Sequence, residues 1–482
     1  MNNSASSRKW YPWFVAFVGL AVLFISNGYT ATALSVFDES LLNEFGWDRG
    51  PFKFRDLLTF AITAVVAPFV GIVIDRVNLK WLLITGMVLL SAGYFGYSQL
   101  TADGSGGLAT PLALVALAGL AVMATIVWRE AQGYFARTAA LVVIAATMAA
   151  VVYYRFIDPM ALHQVYIIHV VFSLALSTAG TMVVVVLVTS WFLKSRGLAI
   201  GIALLGTSLG GIVLSRANIE IIQSTSWREA FGYLALVPLL FAVLIFFFLR
   251  GSPKDAGVVA IGQEAGARDL KSYGLTFAEA IRTPTFWVIG ISGFLTYYSI
   301  LALFNHMFLH MRGLGFEPAQ AANALALLGT LATISKLAIG WLADHIDRKL
   351  VFLGALAVMF VGVLLIAMGG REWVWIGIGI TGCGWGGLFT LYNMLTVNNF
   401  GLKEIGRING TVSLLESLGG GLGIWLTGKL YDVFGSYEVP FDVIAAAVLL
   451  GFAIGLFIKS GSPEAMGLQP AAVGRIKAGS LR

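Results

Sequence analysis

Apolar residues in this chain come in long unbroken runs. They fall near Tyr11 to Ser35, Asp56 to Ile74, Trp81 to Leu100, Leu108 to Trp128, Ala139 to Tyr154, Val165 to Trp191, Leu198 to Ala217 and Ala230 to Leu249. After a polar interval they resume near Phe286 to His310, Ala319 to Ala343, Leu350 to Met368, Trp373 to Thr396, Ile408 to Leu430 and Phe441 to Ile458. A run of about 20 residues lets a helix cross a hydrocarbon core of about 30 Å, and in lipid a helix satisfies its own backbone polar groups. The pattern predicts an all-α membrane protein with about fourteen transmembrane helices, of which Ala139 to Tyr154 is the shortest.

Gly251 to Pro284 is the one long polar stretch between these runs, and it separates an N-terminal transmembrane half (1–250) from a C-terminal half (285–482), with 251–284 as a cytoplasmic linker. Two patterns recur across that divide. Gly71-Ile-Val-Ile-Asp75-Arg76 reappears as Gly340-Trp-Leu-Ala-Asp344-His345-Ile-Asp347-Arg348-Lys349, and Leu204-Leu-Gly-Thr-Ser-Leu-Gly-Gly211 is echoed by Leu414-Leu-Glu416-Ser-Leu-Gly-Gly420. Two echoes in the same order argue for an internal repeat. From Asp75 to Leu204 is 129 residues but from Asp344 to Leu414 only 70, a difference of 59. The runs at Leu108 to Trp128 and Ala139 to Tyr154 account for the excess. Two six-helix halves are therefore expected, with a two-helix hairpin inserted over about 104–160, which preserves the orientation of everything downstream.

Composition closes off other classes. Hydrophobic residues are 58%, charged residues 12%, and mean hydropathy is +0.85, too little charged surface for a soluble fold of 482 residues. The net charge of +6 does not point to nucleic acid, because the positions of the basic residues carry the information. With both termini cytoplasmic, 21 Lys and Arg lie on that side, whereas nine (Arg49, Lys53, Arg55, Arg155, Arg216, Arg228, Arg312, Arg371 and Lys429) face outward. The compact loops suit a bacterial inner (plasma) membrane. The sole cysteine, Cys383, rules out a disulfide within the chain. The first apolar run lacks a small-residue cleavage site and is expected to remain as helix 1.

Ionisable groups inside the bilayer are the sharpest functional signal, each costing about 2.5–3.5 kcal/mol at mid-membrane on insertion scales. Lys336 precedes Asp344 by 8 residues, placing it about 12 Å into the membrane, and Glu416 follows Arg407 by 9, about 14 Å deep. Lys336 either meets a ligand or snorkels to the interface. Glu416 either pairs with Lys336, carries a proton, or belongs to a structural ion pair. His306 and His310 share a helix face, but with no third ligand nearby no metal is expected. His169 reads as a satisfied polar group in helix packing. The inserted hairpin, with Arg129, Glu130 and Arg137 at its turn, offers no chemistry and is expected to pack laterally. No nucleotide loop, zincin helix or nucleophile elbow appears, so neither an enzyme nor a cofactor is expected.

The repeated Gly-x-x-x-Asp-Arg pattern at a helix end resembles the loop signature of the major facilitator superfamily, although Asn78 and Leu79 stand where that family usually has Gly and a basic residue. Several stretches narrow the resemblance: Tyr29 to Trp47, Trp191-Phe-Leu-Lys-Ser-Arg-Gly-Leu-Ala199, Trp227-Arg228, Glu279 to Trp287, and Gly428-Lys-Leu-Tyr-Asp432. They look like the oxalate/formate antiporter and monocarboxylate transporter branch. The resemblance implies a major facilitator fold and secondary transport of a small organic anion, a monocarboxylate, by alternating access with proton coupling or anion exchange. It places Lys336 where relatives use an Arg to hold a carboxylate, and Lys lacks the bidentate fork. Trp385 and Phe389 fall where the oxalate branch has cavity aromatics. Tyr29, Tyr297, Tyr298 and Asn393 are further candidates for the cavity wall, or for helix packing. Glu416, an acid where the oxalate transporters carry a second cation, and His306 are candidates for coupling or charge balance. Gly71, Asp75, Arg76, Gly340, Asp344 and Arg348 would form gating loops. The expected partners are the anion, protons and the lipid bilayer, with the chain a monomer. Two other readings remain at this point: a proton-driven exporter of amphipathic compounds, which would not need Lys336, and a sensor that binds without transporting.

Overall fold

The structure is a computed structural model that describes residues 10–130, 134–192, 196–256, 261, 274–368, 370–401 and 403–458. The first half opens with α1 (Tyr11–Asn27), which continues through a π-helical turn (Gly28–Thr32) and a 3-10 turn (Leu34–Phe37) into α2 (Asp38–Phe45). Then follow α3 (Arg49–Arg76), α4 (Leu79–Ser98), α5 (Ala109–Glu130), α6 (Tyr134–Val152), α7 (Ala161–Ala179), α8 (Thr181–Trp191), α9 (Arg196–Ser224) and α10 (Trp227–Phe248). The short α11 (Phe277–Ala280) leads into the second half: α12 (Pro284–Gly313), α13 (Pro318–His345), α14 (Arg348–Ala367), α15 (Val374–Trp385), α16 (Leu388–Phe400), α17 (Ile405–Phe434) and α18 (Glu438–Gly455). Among the described residues, twelve helical segments are long and apolar enough to cross a membrane. The charge-bearing α3 and α17, with 28 and 30 residues, run the same distance and complete fourteen.

Local chemistry sets the ends. Thr283, Asp347, Ser226 and Asn78 each accept a backbone N–H in the first turn of the helix they start. Gly46 (φ +64°) stops α2 and Gly435 (φ +69°) stops α17, both left-handed as only glycine tolerates cheaply. Two of the expected single helices are each broken in two. Val165 to Trp191 begins at Ala161 and breaks at Gly180, and Trp373 to Thr396 breaks at Gly386 and Gly387. These are corresponding members of the two halves. Hydropathy runs straight through both breaks because glycine is not polar.

Within each half the closest packing is backbone on backbone. A Cβ at Gly206 would overlap the carbonyl oxygen of Leu20, and one at Gly210 would lie 2.6 Å from that of Phe24, so α9 lies against α1. In the second half, Gly419 and Gly423 press α17 on the carbonyls of Phe294 and Tyr298 in α12. The repeat thus matches Gly206 and Gly210 with Gly419 and Gly423, one turn away from the register the Leu204 and Leu414 echoes suggest, because a small-residue row recurs every four positions. The inserted α5 and α6 pack on the flank of the first half against α7 and α3. The linker touches both broken helices: Ile261 N donates to Trp191 O at 3.0 Å, and Leu275 N to Phe400 O at 2.8 Å.

Gly419→Ala should destabilise the detergent-solubilised protein by about 1–3 kcal/mol, since the carbonyl it meets cannot yield. Gly410→Ala on the same helix, with nothing within 4 Å of its Cβ, should be neutral or slightly stabilising. Thermal unfolding of both variants checks this.

Candidate functional site

The two halves meet along two helix pairs, α3 with α17 and α9 with α13. On the first, Asp432 accepts the backbone N–H of Arg49 (2.8 Å) and Gly50 (2.6 Å), placing a carboxylate on the positive N-terminus of α3. Farther along, Phe54 meets Trp425, and Leu57 and Phe60 lie against Gly421. On the second pair Arg216 donates to Asn323 (2.8 Å), Ile212 packs on Gly329, and Lys336 Nζ donates to Ser208 Oγ (3.1 Å). A further clasp joins Arg312 of α12 to Glu39 of α2 at 2.8 Å. Lys336–Ser208 lies deeper, whereas the Arg49–Asp432, Arg216–Asn323 and Arg312–Glu39 contacts gather at one end of the bundle, the outer end under the charge-bias orientation. There the seam holds a depression of about 520 Å³ lined by Glu39, Asn43, Trp47, Arg49, Arg312 and Asp432.

Among the described side-chain contacts between α9 and α13, Lys336–Ser208 is the one nearest the His345 end of α13, and Gly340, one turn farther on, meets nothing within 4 Å. The hydrogen-bond partner of Lys336 among the described residues is the neutral Ser208 hydroxyl, and among them no ion pair joins it to Glu416 or to any other carboxylate. The break between α15 and α16 packs on α13 at Ala332 and Ile339, residues that bracket Lys336, and Ser335 Oγ donates to Cys383 O beside it. Trp385 at this break is half-buried with its ring edge-on to Phe304, and Phe389 is 40% exposed.

The remaining candidates divide. Glu416 is buried and turned into its own half, toward Gly293 of α12, with Tyr297 and Tyr392 in electrostatic reach. Asn393 donates to Phe389 O and accepts from Asn409, tying α16 to α17. Tyr29 is buried against Tyr94 of α4, away from the seam, and Tyr298 is buried beside the α12–α17 contact. His306 is buried with both ring nitrogens in hydrogen bonds, to Tyr437 Oη (3.0 Å) and Ile424 O (2.9 Å), and His310 lies edge-on to Phe441. Of the loop residues, Gly340 faces open space, and Arg348 donates to Ala343 O and Asn398 Oδ1, bracing α14 against α13 and α16. The side chains of Asp75, Arg76 and Asp344, and the surroundings of Gly71, lie outside the described residues.

One buried group escapes the sequence reading. Lys53 and Arg55, expected to face outward, are instead fully buried with Asp38, Asp56 and His169. The reason is that α3 starts at Arg49, seven residues before the apolar run begins at Asp56, so both cations lie inside the helix. Gly46 as a helix stop and Pro51 in a first turn were the available signals.

Residues 104–424 match the family model of the Major Facilitator Superfamily. The chain belongs to that superfamily. It is 28% identical over 271 residues to bovine (Bos taurus) monocarboxylate transporter 13, covering 54% of this chain and 59% of that one. It is 28% identical over 295 residues to human monocarboxylate transporter 11 (57% and 58%) and 23% identical over 306 residues to the oxalate:formate antiporter of Oxalobacter formigenes (61% and 68%). The matches to the two monocarboxylate transporters thus span less than two thirds of those relatives. A solved structure of a bacterial homolog of the human lysosomal transporter Spinster, in an inward-facing and occupied conformation, superposes with a TM-score of 0.64 at 14% identity over 93% of this chain and 97% of that one. This major facilitator protein is accordingly an integral membrane protein with the family and fold of membrane transporters.

Asp432→Asn should loosen the outer end of this major facilitator protein. In a Cys383→Ser background with Asn43→Cys in the outer depression, labelling by a membrane-impermeant thiol reagent should rise about two- to fivefold, given the 0.3–1 kcal/mol a charge contributes at an exposed helix terminus.

Proposed function

We propose that the chain is a secondary transporter of a small organic monoanion, a monocarboxylate, working by alternating access with both termini in the cytoplasm. The observation that carries the reading is Lys336, a cation in the membrane interior on the seam between the halves, whose hydrogen-bond partner is a neutral hydroxyl. An ammonium in that position gains more from an anion than from Ser208, because charge-assisted hydrogen bonds are about twice as strong as neutral ones. One cation balances one negative charge. No second cation stands at the Glu416 position, which suits a monoanion rather than a dianion. The names of the monocarboxylate and oxalate:formate relatives support the same substrate class.

In this reading the contacts at the outer end hold that side shut, and the substrate reaches Lys336 from the cytoplasmic side between α9 and α13. The break at Gly386 and Gly387 presents Trp385 and Phe389 next to α13, where apolar walls would flank a short carbon chain. Anion binding takes Lys336 from Ser208, removing one of the links between the halves. That gives the anion the differential contact that a change of state requires. Arg348, braced on α13 and α16, steadies the inner end of the second half.

Proteoliposomes given a panel of labelled monocarboxylates should show saturable uptake. Lys336→Ala should abolish it, Lys336→Arg should retain part of it, and Ser208→Ala should leave it largely intact. Uptake of amphipathic compounds instead, equal in the unmodified protein and Lys336→Ala, would replace this reading with the exporter.

A further inference from the structure

The first half buries four charges and a histidine together. Asp38, Lys53, Arg55, Asp56 and His169 are each at most 3% exposed. Arg55 lies six residues from the start of α3 and His169 eight from the start of α7, about 9 and 12 Å from the outer helix ends. Asp38 holds Lys53 Nζ and Arg55 Nη2, each at 2.5 Å. Asp56 stands 3.5 Å from Arg55 Nε and 4.0 Å from His169 Nδ1. Two cations and two carboxylates cancel when the histidine is neutral. Replacing buried ions with apolar side chains is often neutral or stabilising, so such a cluster is weak evidence for a purely structural role.

Hydrogen bonds fix the sense of the network. Arg55 only donates, and its Nη1 gives a hydrogen to Tyr97 Oη at 3.3 Å. Tyr97 then gives its own hydrogen to His169 Nε2 at 2.8 Å. The ring proton therefore resides on Nδ1 and is donated to Thr59 Oγ1 at 2.8 Å, and the Thr59 hydroxyl passes on to the carbonyl of Arg55 at 3.3 Å. Only this sense uses the hydrogens of Tyr97, His169 and Thr59 together. It leaves Nε2 as the basic atom of a neutral ring, with Asp56 on the Nδ1 side, its Oδ1 4.0 Å from that nitrogen and its Oδ2 facing Arg55 Nε at 3.5 Å. Of the other elements packed on α7, α1 carries no charge, α5 carries Arg129 in its last turn, α4 carries Lys80 in its first turn, and the turn Tyr153–Ile157 carries Arg155, whose Nε donates to Thr110 at 2.9 Å.

The cluster is also tied to the seam. Lys53 Nζ donates to the carbonyl of Asn305 in α12, across the two halves, at 3.0 Å. Parting the halves at this end would break that bond. Opening it frees Lys53, brings water to Asp38, and gives the network a path to the outer solution. By contrast, Glu416 faces into its own half.

Resting on the transporter reading above, we propose that His169, with Asp56 as its counter-charge, is the proton-loading site of this protein, filled from the outer side when Lys53 leaves Asn305. One proton from outer water binds Nε2, Tyr97 loses its acceptor, and the cluster carries one positive charge until the proton leaves to the inner solution. A net +1 here and a monoanion at Lys336 would move together, which makes the cycle symport.

The test uses the full chain in proteoliposomes with His169→Gln, Asp56→Asn and Glu416→Gln. Counterflow of a labelled monocarboxylate at equal pH needs no net proton movement, whereas accumulation under an inward proton gradient does. His169→Gln and Asp56→Asn should keep counterflow and lose gradient-driven accumulation, and Glu416→Gln should keep both. Accumulation that survives in both cluster variants, or that is lost only in Glu416→Gln, overturns the proposal, as does counterflow without any proton dependence in the unmodified protein. A second readout needs no substrate: spin labels at Glu220→Cys and Arg371→Cys, in the Cys383→Ser background, report the outer opening. Acidification should lengthen that distance in the unmodified protein and leave it fixed in His169→Gln. If no protein shows counterflow but this pH response is present, the carboxylate reading fails and the proton site stands. A pH-independent distance overturns the proton site.

Discussion

Between helices already in lipid there is no hydrophobic drive to associate, so what holds each half together is the closeness that glycine allows between backbones. Gly206 and Gly210 on α9, and Gly419 and Gly423 on α17, each bring a helix onto the carbonyls of its neighbour. The seam between the halves has glycine contacts too, Gly421 and Gly428 of α17 on α3, and adds side-chain joints: a carboxylate on a helix end, an arginine on a glutamate, a lysine on a serine. Backbone packing of this sort does not slide or reopen readily, whereas side-chain hydrogen bonds exchange for water at small net cost. In the proposed cycle the side-chain joints are the contacts that exchange as the halves move.

Lys336 gains its meaning from that seam. Placed on the face of one half, it would be an expensive cation to keep in a membrane. Bonded across the seam to Ser208, it would in the proposed reading connect occupancy of a site to the relation between the halves. The helix breaks at Gly180 and at Gly386 and Gly387 occur in corresponding helices of the repeat, and the second of them sets Trp385 next to α13.

Much of the fold was legible because lipid enforces it. Fourteen apolar runs, the polar interval after Gly251 and the extra 59 residues before Leu204 led to the halves and the inserted hairpin. The helix breaks were not legible, since glycine leaves the hydropathy of Val165 to Trp191 and Trp373 to Thr396 unchanged. At the site, Lys336 stood out because a lone cation interrupts an apolar helix. Its pairing with Glu416 did not follow, because similar depth says nothing about direction, and Glu416 points to Gly293. Lys53 and Arg55 were counted with the outward-facing charges because the apolar run begins only at Asp56. Only the fold shows that Asp38, Asp56 and His169 lie ready to meet them.

The central claim is that an anion at Lys336 alters the relation between the two halves. Paired spin labels across the seam, one pair at the outer end and one at the inner end, measured with and without a saturating monocarboxylate, test it most directly. The account predicts that the anion redistributes both distances in opposite senses in the unmodified protein and leaves them unchanged in Lys336→Ala. Distances indifferent to the anion, or redistributed equally in the two proteins, would contradict it.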